Sequence, residues 1–312
     1  MSIMKNKSRW KNKAILLANT GTISWRQIAK SLGVPKSSCS DHLRNYYENK
    51  DDAAEKEIEE KYFKGFGYKK DKFPVLFKEG AAVTTPVKEP DNSRILLISD
   101  LHSPYSHKDA LKFLKSLKEK YNPTRIICLG DETEGAKLSY HEHDADLPSA
   151  GDELKAAQKF LKQLEELFPR MDILNSNHGS LVYRKAKTHG IPMHYIKNYN
   201  DILGVGEGWQ WYDELIVDLP NGQKVYMHHG KSANALKVSQ TMGMNYVCGH
   251  FHNSFGIQYW SSPSGLFWTM NSGCLIDNKA LCFAYNKLGT TRPIIGTSLI
   301  IDSVPILEAL PL

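Results

Sequence analysis

No window of the 312-residue chain approaches eighteen apolar residues, which excludes a membrane-spanning helix from the reading. Cysteine is scarce and odd in number. Cys39, Cys128, Cys248, Cys274 and Cys282 form no CxxC pair, so neither a disulfide scaffold nor a thiolate zinc site is expected. Free or buried thiols in a reducing, cytoplasmic setting fit that usage. A secretory leader is not expected either, because the apolar run Ala14-Ile15-Leu16-Leu17-Ala18 is too short and too soon interrupted. Internal repeats and long low-complexity tracts are absent too. Acidic residues are short in one place only. Residues 1–50 hold ten Lys and Arg against Asp41 and Glu48, a net of +8 within a chain of net +6, so the remaining residues carry −2. A basic segment attached to a nearly neutral body is the pattern of an arm for nucleic acid or an anionic surface.

What is present is ordinary globular chemistry, at 41% hydrophobic and 24% charged residues, in a length that allows one large domain and a small one. The first 50 residues read as helices. Ser24 can cap a helix from Trp25 to Leu32, Gly33 ends it, Val34-Pro35-Lys36 turns, and Ser37 to Tyr47 offers a second helix. This matches a helix-turn-helix, with Ala29 at the close approach and Ile28, Leu32, Val34 and Leu43 as its small core. Its second helix would offer Lys36, Ser37, Ser38, Ser40 and Arg44 to DNA, while Lys5 to Lys13 lie along phosphates. A generic helical hairpin is the alternative, and Asp41 on the second helix speaks mildly against DNA. Residues 51–93 read as a charged helix followed by a Gly-, Pro- and Thr-containing linker.

At Arg94 the pattern changes. Apolar runs at 95–98, 125–129 and 171–174 read as buried strands, and amphipathic stretches at 107–121 and 151–168 read as helices between them. Runs at 215–219 and 224–227 flank an Asn221-Gly222 turn and read as a hairpin. Residues 94–312 are therefore expected to form an α/β body with helices covering a sheet.

Each apolar run ends in polar residues of one kind. They give Asp100-Leu101-His102, Gly130-Asp131-Glu132-Thr133-Glu134, Ser176-Asn177-His178, His228-His229-Gly230 and Gly249-His250-Phe251-His252. Groups beyond the carboxyl ends of strands in an open α/β sheet can converge. The i, i+2 pairs Asp100/His102 and His250/His252 are expected to point the same way from extended backbone. Any one fragment is weak, since polar loop tips and hydrogen-bonded histidines are common. Five in order, each directly after an apolar run, are specific. Mixed carboxylate, imidazole and amide donors suit a two-metal site for manganese, iron, zinc or nickel.

That ordered series resembles the calcineurin-like metallophosphoesterase signature over about residues 94–260. The resemblance implies a β-sandwich flanked by helices, here preceded by the small all-α helix-turn-helix domain, and a dinuclear centre of two divalent ions, manganese foremost. One ion would take Asp100, His102 and His252, the other Asn177, His229 and His250, with Asp131 bridging. Hydrolysis would proceed by a hydroxide shared between the ions, with His178 as general acid and Glu134 orienting it. His229 is preferred to its neighbour His228 because it directly precedes Gly230.

The chain departs from the family pattern around the Asn-His pair and at the end of the second motif. Gly179 stands where an acidic residue usually follows the Asn-His pair, and Ser176 replaces the usual glycine before it. Glu134 stands for the usual Asp. Gly135 occupies the position where protein phosphatases of the superfamily carry a phosphate-clamping arginine, which speaks against that activity.

The segment 140–146 could hold a third ion but reads better as a polar loop over the cleft. Arg184 and Lys185 could meet phosphate or line a solvated helix face. The sequence thus supports a DNA-directed phosphodiesterase, a nuclease, with a look similar to the phosphoesterases of phages and prophages. The alternatives are a phosphomonoesterase or small-molecule diesterase localised by its arm, or a DNA-binding regulator without activity. DNA and a phosphodiester substrate are the expected partners, a membrane is not, and a homodimer is a further option, because many helix-turn-helix proteins dimerise.

Overall fold

The computed structural model describes residues 14, 25–43, 90–140, 144–283 and 292–311. The chain divides into two compact units, 1–73 and 74–312. The expected charged helix and linker of 51–93 lie outside the described residues, apart from 90–93.

In the first unit, helix α1 (Trp25–Leu32) ends where expected. Gly33 takes the left-handed conformation at φ +64°. Val34 N–H donates to Ala29 O at 3.1 Å and Gly33 N–H to Lys30 O at 3.3 Å. These two bonds satisfy carbonyls that the last turn leaves without partners. A second helix, α2, covers 36–43 of the described residues. Ala14, Ile28, Ala29, Cys39 and Leu43 are buried together, with Leu32 and Val34 packed against them. Lys36, Ser37 and Ser38 are exposed and Ser40 is half-buried. Ser24, Arg44 and Lys5 to Lys13 lie outside the described residues.

The second unit is built on two mixed sheets. Strands β1 (Arg94–Ile98), β2 (Arg125–Cys128), β3 (Met171–Leu174) and β4 (Trp209–Tyr212) run parallel. The antiparallel pair β10 (Gly296–Ile301) and β11 (Val304–Ala309) adds to β1, giving the order β11-β10-β1-β2-β3-β4. The other sheet has the order β5-β6-β7-β9-β8, from Leu215–Asp218, Lys224–Met227, Asn245–Cys248, Gly265–Ser272 and Phe255–Ser262 respectively. The hairpin expected across Asn221-Gly222 is β5–β6, with Gly222 at φ +81°.

Alternation along β1 explains its unbroken apolar run. Ile95 and Leu97 join Val225, Met227, Val247 and Met270 between the two sheets. Leu96 and Ile98 face the other way, against Phe113, Leu114, Leu161 and Leu164 of helices α3 (Ala110–Tyr121) and α4 (Ala150–Leu167). Both faces of the strand are dry, so no polar alternation is tolerated. In the same way Tyr226 and Tyr246 turn away from the sandwich toward Ala235 of helix α7 (Ala235–Met242). Between α4 and α7 lie α5 (Leu181–Thr188) and the single turn α6 (Tyr199–Leu203). The unit is a β-sandwich flanked by helices. Truncating a fully buried leucine of this core, Leu97 for example, costs about 2–5 kcal/mol.

All five cysteines are free thiols. No helix of the described residues is long and apolar enough to cross a membrane.

Candidate metal centre

Five loops leave the carboxyl ends of the parallel strands β1, β2, β3, β6 and β7, and each delivers one fragment of the sequence series. Backbone hydrogen bonds hold the loops to one another. Asp100 N–H donates to Gly130 O at 3.1 Å, His102 N–H to Asp131 O at 2.8 Å, and Gly249 N–H to His229 O at 2.8 Å. The expectation of extended backbone at the i, i+2 pairs is corrected here. Asp100, His102, Asp131 and His250 sit at φ +50°, +45°, +52° and +68°. The chain turns sharply as it leaves β1, β2 and β7, and the left-handed turns let amides such as Asp100 N–H and His102 N–H pair with the neighbouring loop. Such conformations cost of order 1–3 kcal/mol each and cluster where geometry is over-determined.

Glycines let the loops approach. A Cβ on Gly249 would lie 2.4 Å from Asp100 Oδ2, and one on Gly230 would lie 2.6 Å from His250 Cβ.

The donor atoms converge on two adjacent points. At one, His252 Nε2 is 3.2 Å from Asp100 Oδ1 and 3.1 Å from His102 Nε2. At the other, His229 Nε2 is 2.9 Å from Asn177 Oδ1 and 3.2 Å from His250 Nδ1. Asp131 Oδ2 stands between them, 3.5 Å from His102 Nε2 and 3.1 Å from His229 Nε2. Its other oxygen accepts from the His178 amide at 3.1 Å. All seven residues that the resemblance implies as ligands are thus brought together.

The residues fit a pair of divalent ions on three grounds. Donors at right angles around an ion at about 2.1 Å lie about 3.0 Å apart, which is the spacing seen here. Two imidazoles also have their far nitrogens committed. His229 Nδ1 donates to Leu129 O at 2.9 Å and His102 Nδ1 to Glu134 Oε2 at 2.5 Å, so both Nε2 lone pairs face inward as ligand atoms. Finally, Asp100 and Asp131 are almost wholly buried, with imidazoles and not lysine or arginine around them.

The charges respond accordingly. Burial works to raise the Asp100 carboxyl, but its contacts with His102 and His252 more than offset this and hold it well below the usual range. Burial likewise lowers His229, yet the Asp131 charge beside it pushes it up to about 9. His228 behaves in the opposite way. Burial, then Lys231, brings it down to about 4, and its Nδ1 accepts from the Gly230 amide, so it faces away from the donors.

His178 and Glu134 meet differently from the expected dyad. The Glu134 carboxylate goes to His102, and its Oε2 is 3.8 Å from His178 Nδ1. His178 Nδ1 donates instead to the Glu134 carbonyl at 2.5 Å. The glutamate side chain, longer than the usual aspartate, reaches past His178 to the neighbouring ring.

One residue carried no role in the sequence reading. Glu132 is fully buried, its Oε1 accepts from the Tyr199 hydroxyl at 2.5 Å, and its Oε2 has no partner among the described residues. Burial pushes its carboxyl up to about 7. A Cβ on Gly179 would approach Glu132 Oε1 to 3.3 Å. The departure at Gly179 was the available signal, because the acid missing there is balanced by one beside it in space.

Of the loop at 140–146, His141, Glu142 and His143 lie outside the described residues. Tyr140 is exposed and carries Lys185 Nζ at 3.9 Å from its ring centre. Arg184 Nη2 donates to the Asn177 carbonyl at 2.6 Å.

The fold is similar to a phosphoesterase from E. coli, YfcE, at 15% identity over 69% of this chain and 92% of that one, with a TM-score of 0.39. It is also similar to Vacuolar Protein Sorting 29 from Cryptosporidium parvum, at 14% identity over 69% and 95% and a TM-score of 0.35. The Vps29 of Chaetomium thermophilum matches at 13% identity over 66% and 81%, with a TM-score of 0.34. No curated protein sequence matches the chain. Residues 93–262, more than half of the chain and the span of all five loops, match the family model of the calcineurin-like phosphoesterases, and the chain belongs to that family.

Proposed function

We propose that this metal-dependent phosphoesterase cleaves phosphodiester bonds in DNA, as a nuclease brought to its substrate by the basic segment at 1–50. The placement of His178 carries the diester reading. Its Nδ1–H is held by the Glu134 carbonyl and its amide by Asp131 Oδ1, which fixes the imidazole beside the donor cluster. An imidazolium has an N–H at both nitrogens. With Nδ1–H engaged, Nε2–H is the proton available to a leaving alkoxide, the step that a diester with a poor leaving group needs most.

Asp100, His102 and His252 would hold one ion, Asn177, His229 and His250 the other, and Asp131 would bridge. When bound, such a pair supplies a nucleophilic water at neutral pH and neutralises phosphate charge. Glu134 orients His102 and so acts on metal binding. Manganese is the favoured ion, with iron, zinc and nickel as the rivals. The basic arm supports DNA as the target, and Lys36, Ser37, Ser38, Ser40 and Arg44 would be its contacts in the groove.

The test is hydrolysis by the purified chain with Mn²⁺ of bis-p-nitrophenyl phosphate, p-nitrophenyl phosphate and DNA, alongside Asp131→Ala and His178→Ala. Metal-dependent cleavage of the diester and of DNA, lost in Asp131→Ala, is expected. Activity on the monoester alone would overturn the nuclease, and a regulator without activity would hydrolyse none of the three.

A further inference from the structure

From Asn177 to Asn200 the chain contains no Asp or Glu, yet it carries Arg184, Lys185, Lys187 and Lys197. This segment starts at the proposed proton donor and runs through α5 to the short 3-10 turn Met193–Tyr195. Among the described residues, none of the four cations is paired with a carboxylate side chain. Arg184 is tied to the Asn177 carbonyl, which sets a guanidinium directly beside the donor cluster. Lys187 and Lys197 are exposed. The helix dipole accounts for Lys185 and Lys187 in the last turn of α5, but not for Arg184 near its start or for Lys197 beyond it. Next to these cations Tyr195 is 75% exposed, its ring 4.5 Å from that of His194. A tyrosine that exposed leaves most of its ring in water, and a ring presented to solvent beside cations without a carboxylate partner is the arrangement that holds unstacked bases along a phosphate backbone.

We infer that the α5 segment is the track for a single-stranded polynucleotide. Arg184, Lys185, Lys187 and Lys197 meet successive phosphates of the strand that departs from the His178 side, and Tyr195 with His194 stacks an unpaired base. The inference rests on the phosphodiesterase reading and deepens it by naming the substrate class. Single strands are favoured over duplex because a paired base has no face to offer Tyr195.

The test uses the full chain with Mn²⁺. It compares kcat/KM on a fluorescent 20-nucleotide single strand, on the same sequence as duplex, and on bis-p-nitrophenyl phosphate. The variants are Tyr195→Ala and the pair Lys187→Glu with Lys197→Glu, all at exposed positions, with thermal unfolding as the check on folding. The ratio of single-strand to small-diester kcat/KM is expected to fall about 5- to 150-fold in Tyr195→Ala, the range for one lost base stack. In the lysine pair the ratio falls at least tenfold, and the log–log salt dependence becomes shallower by about 0.7 for each lost contact. Single-strand cleavage with both ratios unmoved overturns the track and leaves the nuclease standing. Equal loss on duplex and single strand in Tyr195→Ala overturns the stacking role. Diester hydrolysis without cleavage of any polynucleotide overturns the track together with the nuclease.

Discussion

Glu134 gives its carboxylate to His102, with Oε2 at 2.5 Å from Nδ1, and only its backbone carbonyl to His178. The side chain therefore fixes the tautomer and ring orientation of a candidate ligand. Removing a carboxylate that buttresses a ligating histidine typically weakens metal binding 10- to 100-fold. Glu134→Ala is expected to show that loss in a Mn²⁺ titration, with most of kcat recovered at saturating metal. A variant with unchanged metal affinity and a kcat as low as that of His178→Ala would return Glu134 to the dyad role.

His178 has the complementary signature. If His178 is a proton donor and not a ligand, its loss should leave metal affinity intact while kcat falls by about 10²–10⁴ on diesters with alkoxide leaving groups. Its ring lies close enough to His102 and Asp131 to share an ion, and a loss of metal affinity in His178→Ala would show that it does. On bis-p-nitrophenyl phosphate, whose leaving group departs without help, the fall should be much smaller. A steady loss across leaving groups of different basicity would show that His178 serves binding and not proton transfer.

The convergence of the candidate ligands was legible in the sequence because each fragment that carries them follows directly on a strand, and strands packed on both faces read as plain apolar runs. β1, β3 and the β5–β6 hairpin lie within a residue or so of where periodicity places them. The left-handed turns at Asp100 and His102, where extended backbone was expected, were not legible. Left-handed turns are set by hydrogen bonds between loops far apart in sequence, such as His102 N–H to Asp131 O, and no local signal marks them. The partner of Glu134 was hidden for a similar reason. His102 and His178 both lie within 4 Å of its carboxylate, and only the three-dimensional placement decides which takes it. Glu132 escaped notice because a carboxylate next to a ligand looks like a solvated loop acid until burial is known.

Close approach predicts a substitution that no ligand list would contain. A Cβ on Gly249 would lie 1.9 Å from Ser99 Oγ and 2.4 Å from Asp100 Oδ2, both on a fully buried loop. Gly249→Ala must displace Asp100 from its bond with the His250 amide, now 2.9 Å. Overpacking of this kind costs about 1–3 kcal/mol. The expected outcome is a lowered thermal midpoint together with at least tenfold weaker binding of Mn²⁺. Retention of both would mean that the loops have slack that these distances deny.

The basic arm makes a separate electrostatic prediction. If residues 1–50 bind duplex DNA through about four phosphates, affinity should fall about 10²-fold between 50 and 200 mM salt. Lys36→Ala should flatten that slope by about one unit across all sequences. Fluorescence anisotropy on a duplex measures both, and binding independent of salt would refute the arm's role.

Glu153 supplies the pH prediction, away from the ligands. It is buried on α4, where its Oε1 accepts from the Ala136 amide at 3.0 Å and so braces the turn that follows Glu134. Burial first, and then the neighbouring Glu134 charge, raise its carboxyl above the ordinary value, while the Ala136 bond works against them. A carboxyl raised in the folded state binds its proton more tightly there than in the unfolded chain. Its contribution to stability is therefore complete below the unfolded value and is lost as pH rises through the folded one. Glu153→Gln keeps an oxygen for Ala136 and carries no charge at any pH. The thermal midpoint of the variant, taken relative to the parent protein, should thus be higher at pH 8 than at pH 4. Thermal unfolding at the two pH values checks this, and a difference that shrinks as pH rises would show that Glu153 is held as a stabilised carboxylate.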